Sequence, residues 1–109
     1  MARTDALQGS LDLLVLKLLA KRAPLHGYAL MAAIQEISED ALRVEQGSLY
    51  PALHRMEEGG WISAEWVSSD AGRRVRAYSL TRAGRKELED AARRWSSVTS
   101  AVNRVLRMA

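Results

Sequence analysis

At Gly59-Gly60 the apolar pattern of this chain changes period, and few folds accommodate such a change. Before it, Leu49, Ala52, Leu53 and Met56 recur at helical spacing and form one face. After it, residues 61–67 (WISAEWV) are rich in β-favouring side chains and alternate with period two. Residues 68–72 (SSDAG) form a turn cluster, and residues 73–80 (RRVRAYSL) alternate again, with Val75, Ala77 and Ser79 opposite Arg74, Arg76 and Tyr78. A helix therefore runs directly into a β-hairpin.

That helix is delimited at both ends. Gly47 and Ser48 supply cap chemistry, because a serine hydroxyl accepts from free N–H groups of a first turn. Pro51 is expected in the opening turn, where its missing N–H costs nothing. Gly59-Gly60 closes the helix, since glycine adopts the left-handed conformation of a C-terminal stop. Its outer side carries Pro51, His54 and Arg55, with Ser48 and Tyr50 at the front. A cation and hydrogen-bonding groups on the outer front half suit insertion into a DNA major groove. The same pattern also fits an ordinary amphipathic helix with a solvated face.

Two further helices precede it. Residues 11–20 (LDLLVLKLLA) are apolar on nearly every side and predict a buried central helix, with Ser10 as N-cap and Pro24 beyond its end. His26-Gly27-Tyr28 opens a second helix whose Leu30, Met31, Ile34 and Ile37 share a face, closed by Ser38-Glu39-Asp40. Three helices and a hairpin describe a winged helix-turn-helix: a mainly α fold with a small β-hairpin.

After the hairpin, Thr81 is the expected N-cap of a long C-terminal helix. Leu88, Ala91, Trp95, Val98, Val102 and Val105 alternate at spacings of three and four, a heptad seam widened by Ala92, Thr99 and Leu106. Such a stripe left in water asks for a partner, and a homodimer is the expectation. The chain divides into residues 1–80, the winged helix-turn-helix, and residues 81–109, the dimerisation helix of the same compact unit.

With 109 residues the chain suits one domain. Its 16 Lys and Arg against 13 Asp and Glu are a small excess, so position matters more than total. Residues 73–86 hold six basic and no acidic side chains. Arg73, Arg74 and Arg76 sit at the hairpin tip and return strand, where guanidinium groups bind phosphate oxygens or enter a narrow minor groove. The absence of cysteine excludes disulfides, thiol catalysis and zinc-thiolate sites. No carboxylate pair, nucleophile-base set, metal cluster or Gly-rich phosphate loop is visible, so no reaction, metal or cofactor is expected. The longest apolar run, residues 13–20, contains Lys17 and is too short to span a bilayer. Arg3 and Asp5 stand near a start without a cleavage pattern. A cytoplasmic protein is the expectation.

Four motifs, in order, resemble the PadR family of bacterial transcriptional regulators: residues 9–16 (GSLDLLVL), 26–28 (HGY), 47–57 (GSLYPALHRME) and 72–84 (GRRVRAYSLTRAG). The likeness spans about Leu7 to Leu106, and with one helix after the wing the chain is similar to the family's short members. The resemblance implies a dimeric repressor that reads a pseudo-palindromic double-stranded operator through its third helix and holds DNA backbone with its wing. On this sequence the groove-facing candidates are then Ser48, Tyr50, His54 and Arg55, and the backbone candidates Arg73, Arg74 and Arg76, with a phosphate contact from Tyr28. Some members bind small planar aromatic ligands between paired C-terminal helices on a tryptophan. Trp95 holds a similar place, and Leu11 and Val15 would line the same space. The chain departs from the family at Ala77, where an aromatic is common, and at His54, where a cation is common. A winged-helix adaptor that binds protein through Trp61 and Trp66 is the alternative.

Overall fold

The computed structural model describes the backbone of residues 2–109 and the side chains of residues 10–109. Arg3, Asp5 and Leu7 lie outside the described side chains. Four helices and three short strands follow in the order α1 (Ala2–Arg22), β1 (Leu25–His26), α2 (Gly27–Ile37), α3 (Gln46–Glu58), β2 (Ile62–Ser68), β3 (Arg74–Leu80) and α4 (Arg82–Leu106).

The helices pack around one apolar centre. Val15, Leu16 and Leu19 from α1 meet Leu30 from α2 and Leu49, Leu53 and Met56 from α3, all essentially without solvent contact. The period read from α3 thus marks its buried face. Each core leucine removes enough apolar surface to contribute about 2 kcal/mol.

α1 starts at Ala2, eight residues before the expected cap, so Ser10 lies within the helix. No proline interrupts residues 2–10, and a lone Gly9 costs a helix only about 1 kcal/mol. α3 likewise begins early, at Gln46, with Glu45 at the N-cap and no side-chain cap bond. Gly47 and Ser48 fall in the first turn, and Pro51 is inside the helix rather than at its opening. The ring removes the bond its N–H would have made to the Gly47 carbonyl. Gly47 is exposed, so water can take that carbonyl.

The stop behaves as expected, one residue later than the first glycine. Gly60 has φ +81°, the Trp61 N–H donates to the Met56 carbonyl (3.0 Å), and the Gly60 N–H donates to the Glu57 carbonyl (3.0 Å). These are the two bonds of a Schellman closure. The Thr81 hydroxyl then donates to the Gly60 carbonyl (2.6 Å) and accepts from the Gly84 N–H (3.0 Å), capping α4 as expected. One threonine couples the end of α3 to the start of α4.

The sheet has an unforeseen third strand. Its order is β1-β3-β2, with Leu25 and His26 paired to Tyr78 and Ala77. His26 also caps α2, its Nδ1 accepting from the Ala29 N–H at 3.2 Å. With β1 on one side, β3 is central at its base, so the adjacent Ala77 and Tyr78 are both buried. Ala77 needs no large side chain there, because His26 lies alongside.

α4 begins against α1 and then leaves the body. Leu88 packs on the core and Ala91 is buried, whereas every residue from Ala92 onward is exposed. The molecule is accordingly elongated, 58 × 29 × 26 Å.

Candidate nucleic-acid interface

The outer front of α3, the start of α2 and the wing formed by β2 and β3 share one open groove. His26, Gly27, Tyr28, Tyr50, Trp66, Ser69, Val75, Arg76 and Tyr78 line it. Tyr28 and Tyr50 are 69% and 42% exposed, a degree rare for side chains that serve only the core. Gly27 explains their proximity: a Cβ there would lie 2.4 Å from the Tyr50 hydroxyl oxygen. Only a glycine lets the tyrosine ring lie against the opening of α2. Ser48 and His54 are also exposed on α3, and the His54 Nε2 lies 3.5 Å from the Glu58 carboxylate.

The wing register places Trp66 opposite Arg76, with Arg74 one diagonal step away on the same face. The Arg74 and Arg76 guanidinium carbons lie 5.2 and 5.6 Å from the Trp66 ring centre, within cation–π range. The turn is closed by the Ser69 N–H donating to the Arg73 carbonyl (2.7 Å), and Gly72 has φ +79°. Arg73 stands exposed at this turn and makes no ion pair among the described residues. Asp70 is also exposed in the turn.

Two of the expected DNA contacts have partners within the chain. Arg76 donates to the Glu57 carboxylate at 2.7 Å and is only half exposed, so it braces the wing against the end of α3. Arg55 donates to the Asp12 carboxylate of α1 at 2.6 Å, across the core edge. Its cation is held beside the first helix and must leave Asp12 before it can reach a base. Neither pairing was visible in the sequence, although Asp12, the one acid in the apolar run of residues 11–20, was the available signal. Trp66 entered the sequence reading only with Trp61, as the contact face of the alternative adaptor, and its place beside two arginines emerges only with the strand register.

Three further expectations are corrected. Val15 is fully buried in the core and faces no open space, whereas Leu11 is half-buried and borders a shallow groove with Leu14, Val44 and Ser48. Ala91 is buried and Leu88 half-buried against the subunit's own core, where the seam passes over the body, so neither lies on a fully open face. The rest of the seam is open: Trp95, Val98, Val102 and Val105 are 48%, 53%, 50% and 66% exposed. Among the described residues no cluster of His, Asp or Glu could hold a metal ion, and no helix is long and apolar enough to cross a membrane.

The sequence profile of the transcriptional regulator PadR-like family matches residues 15–90, which include the groove, the wing and the start of α4. The chain belongs to the PadR-like family of transcriptional regulators. It is 45% identical over 56 residues to the transcriptional regulator Rv3488 of Mycobacterium tuberculosis, a match covering 51% of each protein. A PadR family transcriptional regulator from Eggerthella lenta is similar over 99% of this chain and 92% of its own, with TM-score 0.79 and 27% identity. A Thermoplasma acidophilum regulator is similar over 96% and 98%, with TM-score 0.82 and 30% identity. The fold is the family's DNA-binding winged helix, and this PadR-like protein is a regulator rather than an enzyme.

The Arg55–Asp12 pair gives a stability prediction. Burial raises the Asp12 carboxyl above its ordinary value; the Arg55 hydrogen bond and charge oppose this, and Glu87 adds to it. A raised carboxyl pKa means the folded state favours the protonated form, so this group's contribution falls as pH rises through that value. Arg55→Ala should therefore cost about 1 kcal/mol at pH 7, discounted for the half-exposed guanidinium, and less at pH 4, where more of Asp12 is protonated than at pH 7. Asp12→Asn should cost less than Arg55→Ala, because the charge it leaves unpaired is the half-exposed Arg55 guanidinium, which water can solvate, whereas Arg55→Ala leaves the more buried Asp12 carboxylate without its partner. Urea denaturation of both variants at the two pH values checks the order. Equal losses for both variants at pH 7 would contradict it.

Proposed function

We propose that this PadR-like regulator is a homodimeric repressor that binds a pseudo-palindromic operator in double-stranded DNA. The observation that carries the reading is the shared groove: Tyr28 and Tyr50 on one wall face Trp66 and Arg76 of the wing on the other. Arg73 and Arg74 extend this surface toward phosphate, and Ser48, Tyr50 and His54 supply the hydrogen-bonding groups of the reading helix. Arg55 joins them once DNA competes with Asp12.

In this reading residues 1–80 read DNA and residues 81–109 pair two copies. Trp95, Val98, Val102 and Val105 are the pairing surface, and a second copy of the same stripe is its natural cover. Two reading helices on one DNA face would then lie roughly one helical turn, about 34 Å, apart. The wing releases counterions from phosphates, which makes affinity fall steeply with salt, while α3 discriminates among sequences. The location that suits this role is the cytoplasm.

Trp95 also suits a planar aromatic effector. Paired indoles across a twofold axis offer two stacking faces, with Leu11 as a further apolar wall. A bound ligand would change the tilt of the two heads and lower operator affinity by the difference in its own affinity for the two arrangements.

Gel shifts on the DNA upstream of the protein's own gene, across a salt series, test the reading. A shifted complex that weakens steeply with salt is expected. No shift at low salt would reject it in favour of a protein-binding adaptor.

A further inference from the structure

Trp66 is a large apolar side chain left 57% exposed on the wing, where the core gains little from it. Both guanidinium groups of β3 approach its ring, at 5.2 and 5.6 Å. Without the ring, two neighbouring arginines of one charge would repel and turn into solvent. Arg76 is held further by Glu57 at 2.7 Å, whereas Arg74 makes no ion pair among the described residues. A chain of contacts thus runs from the end of the reading helix to the outer wing: Glu57, Arg76, Trp66, Arg74.

We propose that Trp66 is a positioning residue for DNA binding, holding the Arg74 guanidinium where a phosphate can meet it. This rests on the DNA-binding reading above. A cation–π contact takes up none of a guanidinium's hydrogen bonds, so its N–H donors, which bind phosphate oxygens in pairs, remain available. An arginine restrained before binding loses less rotamer freedom on contact, so the ring increases affinity without touching DNA. The cation–π contact itself is tightened when phosphate approach excludes water from the ring.

Fluorescence anisotropy with labelled upstream DNA and a random duplex of equal length tests the proposal. The proteins are wild type, Trp66→Ala, Trp66→Leu, Trp66→Phe, Arg74→Ala and the Trp66→Ala/Arg74→Ala double variant. Trp66→Ala keeps the formal charge, yet it should weaken binding to both duplexes roughly 5- to 10-fold and lower the salt slope by about one unit, as Arg74→Ala does. Trp66→Leu, which keeps bulk but has no π face, should behave like Trp66→Ala and guards against a folding defect in it. Trp66→Phe should retain most of the affinity. The double variant should bind no more weakly than Arg74→Ala alone, since the ring acts through that arginine. Wild-type affinity in Trp66→Ala, or losses that multiply in the double variant, would overturn the proposal. A wild type that binds neither duplex at low salt would overturn the DNA-binding reading itself, a distinct result.

Discussion

A chain carrying Val98→Asp and Val102→Asp should be folded, half the mass of the wild type in solution, and at least 100-fold weaker on operator DNA. The size of the effect follows from geometry. Beyond Ala91 every residue of α4 is exposed, Val98 and Val102 by 53% and 50%, and no described side chain covers them. An aspartate at either place meets water in a lone chain, so the fold of the body has no reason to suffer. In a twofold pair the same substitutions put four carboxylates into one apolar seam, where burial of unpaired charge costs several kcal/mol. Losing the pair converts two linked half-site contacts into one, which removes an avidity factor on the order of 10²–10⁴. A helix of this kind is also marginal alone in water, so far-ultraviolet circular dichroism should show fraying of its outer half. Sedimentation of the variant beside the wild type gives the answer. An unchanged dimer mass would place the pairing surface elsewhere.

Gly84→Ala should be the most damaging methyl added at any of the described glycines. A Cβ at Gly84 would lie 2.0 Å from the Trp61 carbonyl oxygen and 2.7 Å from Leu80 Cδ1. The nearer atom is backbone, and it already accepts the Thr81 N–H at 3.1 Å, so it cannot move without opening the junction between wing and α4. Overpacking of that kind costs about 3 kcal/mol or more, on the order of 12 °C in melting temperature for a domain of this size. Gly47→Ala is the matching control, because a Cβ there meets nothing within 4 Å and the residue is helical. It should gain about 0.5 kcal/mol from reduced freedom of the unfolded chain. Thermal melts of the two variants should move in opposite directions. A mild effect of Gly84→Ala would mean that the junction is looser than its geometry.

Residues acting over short range were legible in the sequence; those acting over long range were not. The stop at Gly59-Gly60, the cap at Thr81 and the existence of both wing strands each depend on a few adjacent residues. β1 consists of Leu25 and His26 alone, too short to show any period, and exists because Tyr78 and Ala77 lie beside it. Asp12 with Arg55 and Glu57 with Arg76 are joined only by the folded chain. For the same reason a heptad could not show that Leu88 and Ala91 face their own body while Trp95 and Val98 do not. The period of an apolar stripe gives its direction, and only the position of α1 decides where its cover ends. Pro51 was misplaced because the rule that puts proline first in a helix overlooks an exposed carbonyl four residues earlier.

The most direct measurement is a hydroxyl-radical footprint of the protein on its upstream DNA, with the number of chains per duplex counted in the same complex. Two chains should protect two patches on one face of the DNA, their centres about 10 base pairs apart. One chain per duplex, or a single patch, would contradict a twofold reader built from the front of α3 and the wing.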